Sequence, residues 1–249
     1  MNSVAILGCR VDTLTASDAV RRIGDLAQGE TPALVVTLGT EMIVRAQHDA
    51  RFREVLSRSA LSLCDTIGVM FAARLYGIKN IERCAGIDLI DPLCETFARE
   101  GRAIFLLGGK GKTGERAATV LRARHPGLIV AGTHDGYFPD SDGAAVAATI
   151  ASSGAQVLFA GLGSPRQEIW ITDYLKETRC AVGIGIGGSF DIIAGNIARA
   201  PSLWRRLNLE WLYRLIREPR RWRRQLALPH FVWLALRERT RPSATRRLS

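Results

Sequence analysis

The sequence predicts an α/β protein: a Rossmann-like, mostly parallel sheet with helices on both faces, followed by a basic helical C-terminal arm. Three observations carry this. Short apolar runs of strand length, at residues 4–7, 34–37, 61–64, 103–107, 128–132, 157–160 and 181–186, alternate with segments of helical period. Several runs end in glycine or a small polar residue, as strands do when they feed a ligand-facing turn. The runs are continuous rather than alternating, the pattern of strands buried on both faces.

The elements follow in order. Residues 4–7 (VAIL) read as a first strand or hairpin arm, and residues 12–26 as a helix with Thr15 or Ser17 near its start. After the 34–37 strand, residues 41–50 read as one helix, because Met42, Ile43, Ala46 and Ala50 fall at helical spacing. The 61–64 strand is followed by Asp65-Thr66-Ile67-Gly68 and a helix to residue 75. Further helices are expected over 87–100, 114–125 and 143–152. The 157–160 strand runs into Gly161-Leu162-Gly163-Ser164-Pro165, and Ile169 and Trp170 begin the apolar face of the next helix. Ser164 is placed to cap that helix and Pro165 suits its first position. There is no internal repeat and no low-complexity linker.

A chain of 249 residues with 47% hydrophobic residues suits one α/β domain or a domain with an appendage. Five cysteines (9, 64, 84, 94 and 180) form no CxxC and are odd in number, which points to reduced thiols in a cytosolic protein. No secretory signal and no run of about 20 apolar residues is evident. The net charge of +10 is uneven. Residues 199–249 hold 14 Arg against three acids, net +11; the other 198 residues hold 20 Lys and Arg against 21 Asp and Glu, net −1. Four of five tryptophans (204, 211, 222 and 233) lie in the same arm. The division expected is therefore a body, 1–198, and a basic Trp/Arg-rich appendage, 199–249, with an anionic partner: membrane, nucleic acid or phosphate substrate. In the appendage Trp204, Leu207, Trp211, Leu212 and Leu215 share a helical face bordered by arginines, and Pro219 stops that helix. Apolar, Arg-flanked, Trp-bearing segments suit a lipid headgroup layer, or the same face packs on the body. No nucleic-acid-binding motif accompanies the charge.

In a parallel sheet the strand ends share one edge, which brings together Thr37, Asp65, Gly108-Gly109-Lys110, Gly163-Ser164 and Gly187-Gly188. Gly163 lets backbone approach a ligand, and Arg166 and Gln167 add a charged fork and an amide. Asp65 reads either as a helix N-cap or as a general base facing a cleft. Gly111-Lys112-Thr113 resembles the end of a P-loop, but the required upstream glycine position is Leu106. A dinucleotide fingerprint at Gly161-Leu162-Gly163 fails because its third glycine is Arg166. No HExxH or Cys/His cluster offers metal-ligand spacing, and the four histidines are scattered.

The segments GLGSPRQEIW, VVTLGTEM, LCDTIGV, ERCAGIDL, HDGYF and GGSFDIIAG resemble the WecG/TagA/CpsF glycosyltransferase family, glycosyltransferase family 26, over about residues 4–220. The resemblance implies an inverting, metal-independent enzyme without a cofactor. Such an enzyme moves a hexose, often N-acetylmannosamine, from a UDP-sugar to a polyprenyl-diphosphate-linked sugar. The products are cell-surface polymers such as teichoic acid, enterobacterial common antigen or exopolysaccharide. It implies Asp65 as the base, Thr37 and Gln167 along the sugar pocket, Arg83 on the diphosphate or acceptor, and Tyr137 and Asp191 on the nucleoside. The family usually has Asn two residues after the strand-end Thr; here that position is Gly39. Without a metal, arginines and helix N-termini must stabilise the departing UDP, and Arg214, Arg217, Arg220, Arg221 and Arg224 of the arm are candidates. The expectation is a transferase at the cytoplasmic face of the cell membrane, held peripherally on anionic lipid, without a nucleic-acid partner; a homo-oligomer is compatible with it. A nicotinamide-dependent oxidoreductase and a basic nucleic-acid-binding module are the competing classes.

Overall fold

The computed structural model describes residues 3–206, 209–217 and 227–239. Strands β1 (Ser3–Ile6) and β2 (Cys9–Asp12) form an antiparallel hairpin whose two turn residues, Leu7 and Gly8, both have positive φ. This is the tight turn whose twist matches its strands. Asp12 closes β2 rather than opening a helix. Its buried carboxylate accepts the Ser62 N–H at 2.8 Å and pairs with Arg10 at 3.4 Å, so a tertiary contact overrides the local helical pattern. Helix α1 (Ala16–Ala27) starts later, at Thr15, whose hydroxyl accepts the Asp18 N–H at 3.1 Å.

The main sheet is built from β3 (Ala33–Leu38), β4 (Leu61–Cys64), β5 (Ala103–Gly108), β6 (Ile129–His134), β7 (Val157–Gly161) and β8 (Val182–Gly185). Its order is β4-β3-β8-β7-β5-β6 and every pairing is parallel. All six residues of β3 are buried, as the continuous apolar run requires. The expected α/β class, with a parallel sheet covered on both faces, is what the structure has.

Two cores sandwich this sheet. On one face α2 (Thr40–Ala46), α3 (Ala50–Ser57), α4 (Ile67–Leu75), α7 (Gly143–Ser152) and α8 (Arg166–Thr178) pack with the hairpin. On the other face lie α1, α5 (Gly86–Arg99), α6 (Thr113–Arg124) and α9 (Ser189–Ile193). The single helix expected over 41–50 is two. Asp49 caps α3 by accepting the Phe52 N–H at 2.9 Å, and Phe52 drives that second helix into the core. After β3 and β7 the chain turns to one face; after β8, between them, it turns to the other. Helices that part in this way open a crevice at the carboxyl edge of the strands.

The arm contains α10 (Ser202–Arg206), α11 (Glu210–Arg217) and α12 (Ala227–Arg239). The continuous apolar face expected from Trp204 to Leu215 is broken: the Leu209 N–H bonds the Trp204 carbonyl at 2.8 Å, and the Trp204 ring lies against Tyr213. The described part of α11 runs to Arg217; Leu207, Pro219, Trp222 and Leu226 lie outside the described residues. Helix α12 packs on α2 and α4, burying Phe231 and Ala235 completely in the first core. The Tyr76 hydroxyl donates to the Ala235 carbonyl at 3.2 Å, and Glu238 accepts the Leu7 N–H at 2.9 Å. So α12 shares the body's core, while Leu203, Ile216, Trp233 and Leu236 remain exposed. Among the described residues no helix is long and apolar enough to cross a membrane. All five cysteines are buried free thiols, and burial pushes those of Cys64, Cys84 and Cys94 up to about 12.

Candidate active site

A cleft of about 310 Å³ opens where the carboxyl ends of β4, β3, β8 and β7 meet. It brings together Thr37, Asp65, Arg83, Gly163, Ser164, Gln167, Gly187 and Gly188, eight of the residues singled out from sequence. Asp65, Thr37 and Gln167 each make a hydrogen bond to main chain. The Asp65 N–H continues the sheet to the Leu38 carbonyl at 3.1 Å, and the Cys84 N–H reaches the Cys64 carbonyl at 2.6 Å. These two bonds lay the 83–86 segment across the end of β4. Asp65 Oδ1 then accepts the Gly86 N–H at 3.0 Å, at the first turn of α5. Asp65 is not the N-cap of the helix that follows it, a position held by Thr66; it accepts the first N–H of α5 instead, and it lines the cleft. The Thr37 hydroxyl donates to the Gly185 carbonyl at 2.9 Å, which leaves its lone pairs for a ligand. The Gln167 carbonyl oxygen accepts the Gly187 N–H at 3.1 Å.

Arg83 is not a free cation. It pairs with Glu210 at 2.9 Å and with Asp88 at 3.7 Å, and both Arg83 and Glu210 are largely shielded from water. Through Glu210, α11 is tied to the cleft wall, and Trp211 and Leu228 of the arm line the same cleft. Gly39 also lines it, and a Cβ there would meet Thr66 Cγ2 at 3.4 Å, an ordinary contact, so the first atom of a side chain fits at this position.

The remaining sequence candidates sit elsewhere on the same edge. Gly108 (φ +139°) faces Gly161 so closely that a Cβ would come within 2.5 Å of the Gly161 carbonyl oxygen; no other residue fits. Gly109 follows it, and its carbonyl accepts the Gly136 N–H at 2.9 Å. Asp135 accepts the N–H groups of Gly111 and Tyr137, which joins the loops after β5 and β6; the Tyr137 side chain is 76% exposed. Arg166 donates to the Gly136 and Phe138 carbonyls, pairs with Asp140 at 3.2 Å and stacks on the Phe138 ring at 4.4 Å. Its fork therefore holds a protein loop and does not reach into the cleft. Asp191 accepts from Asn196 at 3.1 Å, and Asn196 also donates to Thr113 at 3.0 Å, which pins α9 to α6. None of Gly108, Gly109, Tyr137, Arg166 and Asp191 lines the cleft. Ser164 does not cap α8: no side chain caps it, and Pro165, after a cis peptide bond, holds the N-cap position. The Ser164 hydroxyl goes to Glu168 instead.

The model of the Glycosyl transferase WecG/TagA/CpsF family matches residues 4–245. The chain belongs to this family. It is 38% identical over 206 residues to the N-acetylglucosaminyldiphosphoundecaprenol N-acetyl-beta-D-mannosaminyltransferase of Bacillus subtilis strain 168, covering 83% of this chain and 80% of that one. It is 37% identical over 205 residues to the enzyme of the same name from Bacillus spizizenii strain W23, covering 82% and 79%. A WecG/TagA/CpsF glycosyltransferase needs a site at which a sugar donor and an acceptor meet, and the cleft is the place where this chain gathers its carboxylate, guanidinium, amide and hydroxyl groups.

Among the arm arginines, Arg214 lies on α11 with its side chain outside the described part, and Arg220, Arg221 and Arg224 lie outside the described residues. Arg217 stacks on Tyr213 at 5.7 Å. Sequence reasoning missed Glu210, Trp211 and Leu228, which reach the cleft only through the folding back of the arm. It also missed Thr66, whose buried hydroxyl has no hydrogen-bond partner among the described residues. Glu168 was inside the quoted motif, but nothing in the spacing signals its complete burial. Among the described residues no group of three His, Cys, Asp or Glu side chains is arranged to hold a metal ion.

Proposed function

We propose that this glycosyltransferase moves N-acetylmannosamine, or a related hexose, from a UDP-sugar to a saccharide on polyprenyl diphosphate, in the synthesis of a cell-surface polysaccharide. The observation that carries this is the Asp65 carboxylate, fixed by the Gly86 N–H inside the cleft that Thr37, Arg83 and Gln167 also line. The two relatives bear names that state transfer of N-acetylmannosamine to N-acetylglucosaminyldiphosphoundecaprenol, which supports the sugar and the acceptor of this reading.

The mechanism follows from the groups present. Asp65 takes the proton of the acceptor hydroxyl as its oxygen attacks the anomeric carbon. The C–O bond to the diphosphate breaks on the opposite face, so the configuration inverts. Negative charge develops on the leaving UDP and is met by the Arg83 guanidinium and by backbone approached over Gly163 and Gly187-Gly188. With the arginines of the arm added, no divalent ion is required. The exposed Leu203, Ile216, Trp233 and Leu236 of the Arg-rich arm support a peripheral seat on anionic lipid, where a polyprenyl acceptor would reside. A nicotinamide oxidoreductase is disfavoured because Arg166, at the third fingerprint position, is committed to holding the 136–140 loop.

The test is a screen of UDP-hexoses against a short-chain polyprenyl-diphosphate acceptor, with the anomeric configuration of the product read by NMR. Transfer with inversion that survives EDTA and vanishes in Asp65→Asn supports the reading. Tight NAD(P) binding without UDP binding, or retention of configuration, sinks it; loss in EDTA restored by Mg²⁺ removes the metal-free part.

A further inference from the structure

Behind the cleft wall lies a carboxyl group that the mechanism above leaves unused. Glu168 is 0% exposed, in the first turn of α8. Its Oε1 accepts the Gln167 Nε2–H at 2.6 Å, the Ser164 hydroxyl also bonds it, and its Oε2 has no partner among the described residues. Among the described residues the one charge that acts on it is Glu41, a like charge. Burial pushes its acid up from the ordinary glutamate range, which favours the neutral form.

The geometry around Gln167 gives this acid a task. The terminal torsion of a glutamine is soft, so its amide points where its hydrogen bonds hold it. Here the carbonyl oxygen is anchored on the Gly187 N–H and one N–H on Glu168, from opposite ends of the amide. One N–H is left over, on a residue that lines the cleft. The neighbouring strand makes room for the pair: a Cβ on Gly185 would sit 2.6 Å from Gln167 Nε2 and 3.1 Å from Glu168 Oε1. The Gly185 carbonyl is also the acceptor for Thr37, so the same point on β8 aligns a second polar group of the cleft.

We propose that Glu168 is a positioning residue: it orients the Gln167 amide and the Ser164 hydroxyl as a fixed polar rack for the hydroxyl groups of the donor hexose. It touches no substrate itself. The inference rests on the reading of the cleft as a UDP-hexose site. What Glu168 supplies is an uncharged acceptor at a fixed point, so an amide can replace it and an apolar isostere cannot.

The experiment uses the full chain and two readouts: kcat/KM for UDP-N-acetylmannosamine transfer, and the ratio of its affinity to that of UDP by calorimetry. Glu168→Leu is expected to lower kcat/KM by about 10- to 100-fold, the scale of an anchor lost in a buried site, and to shrink the affinity ratio while UDP alone binds as before. Glu168→Gln is expected to stay within about threefold of the parent. In a Gln167→Ala background Glu168→Leu should cost clearly less than it does alone, because the Gln167 part of the rack is already gone and only Ser164 is left to release. A folded Glu168→Leu protein with parental kcat/KM and affinity ratio overturns the proposal, as does full multiplication of the two effects. If Glu168→Leu does not fold, Glu168→Gln decides: loss beyond tenfold in a folded protein overturns the role, and retention supports it. A parent that moves no hexose sinks the functional reading instead, and the affinity ratio still tests the rack.

Discussion

The two ends of one sheet edge are built differently. At the β4-β3-β8-β7 end, three polar side chains of the cleft bond to backbone, Asp65 to Gly86, Thr37 to Gly185 and Gln167 to Gly187, beside the Arg83–Glu210 pair. At the β5-β6 end the relation is reversed, and side chains hold backbone: Arg166 grips the carbonyls of 136 and 138, and Asp135 gathers the N–H groups of 111 and 137. A side chain fixed within a concave site is prepared to act on charge that moves during reaction. A loop shaped by side chains presents main chain and one exposed ring, Tyr137, to a ligand that need only be recognised. The first end is thus suited to chemistry and the second to binding, and variants at the two ends should separate kcat from KM.

The largest effect is expected at Asp65. Asp65→Asn keeps the acceptor oxygen for the Gly86 N–H but removes the base, so turnover should fall by about 10²- to 10⁴-fold with UDP affinity retained. Near-parental turnover would break the contrast at its strongest point. Arg83 comes next. Arg83→Ala deprives the leaving group of a guanidinium and leaves Glu210 without that partner, so kcat should fall by about 10- to 100-fold. Glu210→Gln frees Arg83 from its partner but loosens α11; a smaller loss is expected, and parental activity would mean that the pair does not position the arm.

How far the sequence could be read tracks the same contrast. The strand ends were legible because short continuous apolar runs ending in glycine announce a parallel sheet edge, and eight residues taken from those ends and from the resemblance do meet in one cleft. The role of Arg166 was not legible, because a guanidinium next to a glycine turn looks the same whether it faces a phosphate or the carbonyls of a loop about 30 residues upstream. Asp12 and Asp49 misled in the same manner: short polar side chains chose a partner in β4 and a cap at α3, and neither choice is encoded in local spacing. Phe231 lies in the described part of a basic arm and is nevertheless core, since burial depends on α2 and α4, more than 150 residues earlier in the chain.

At the other end the effect should be smaller and of another kind. Arg166→Ala removes the fork that holds the 136–140 loop while leaving the cleft side chains in place. KM for the UDP-sugar should rise by roughly three- to tenfold, with kcat nearly unchanged, the signature of lost uniform binding. A drop in kcat as large as that of Arg83→Ala would merge the two ends into one catalytic unit.

The smallest effect on activity, and the one that sharpens the contrast in stability, comes from Glu168→Gln. Burial raises the folded-state acid of Glu168 above its ordinary value of 4.5. Folded protein therefore binds this proton more tightly than unfolded chain does. Below 4.5 both states hold the proton and the group adds no pH dependence; as pH rises from there toward the raised folded value, the unfolded chain releases its proton first and the native state loses stability. Glutamine does not titrate and escapes this loss. The unfolding free energy of Glu168→Gln, measured by urea titration at a series of pH values, should gain on that of the parent as pH climbs from 4.5 to neutrality, while kcat stays within about threefold. A difference that stays flat across that window would mean that Glu168 is not held as the neutral acid, and the polar rack behind Gln167 would then have to be built on a buried charge.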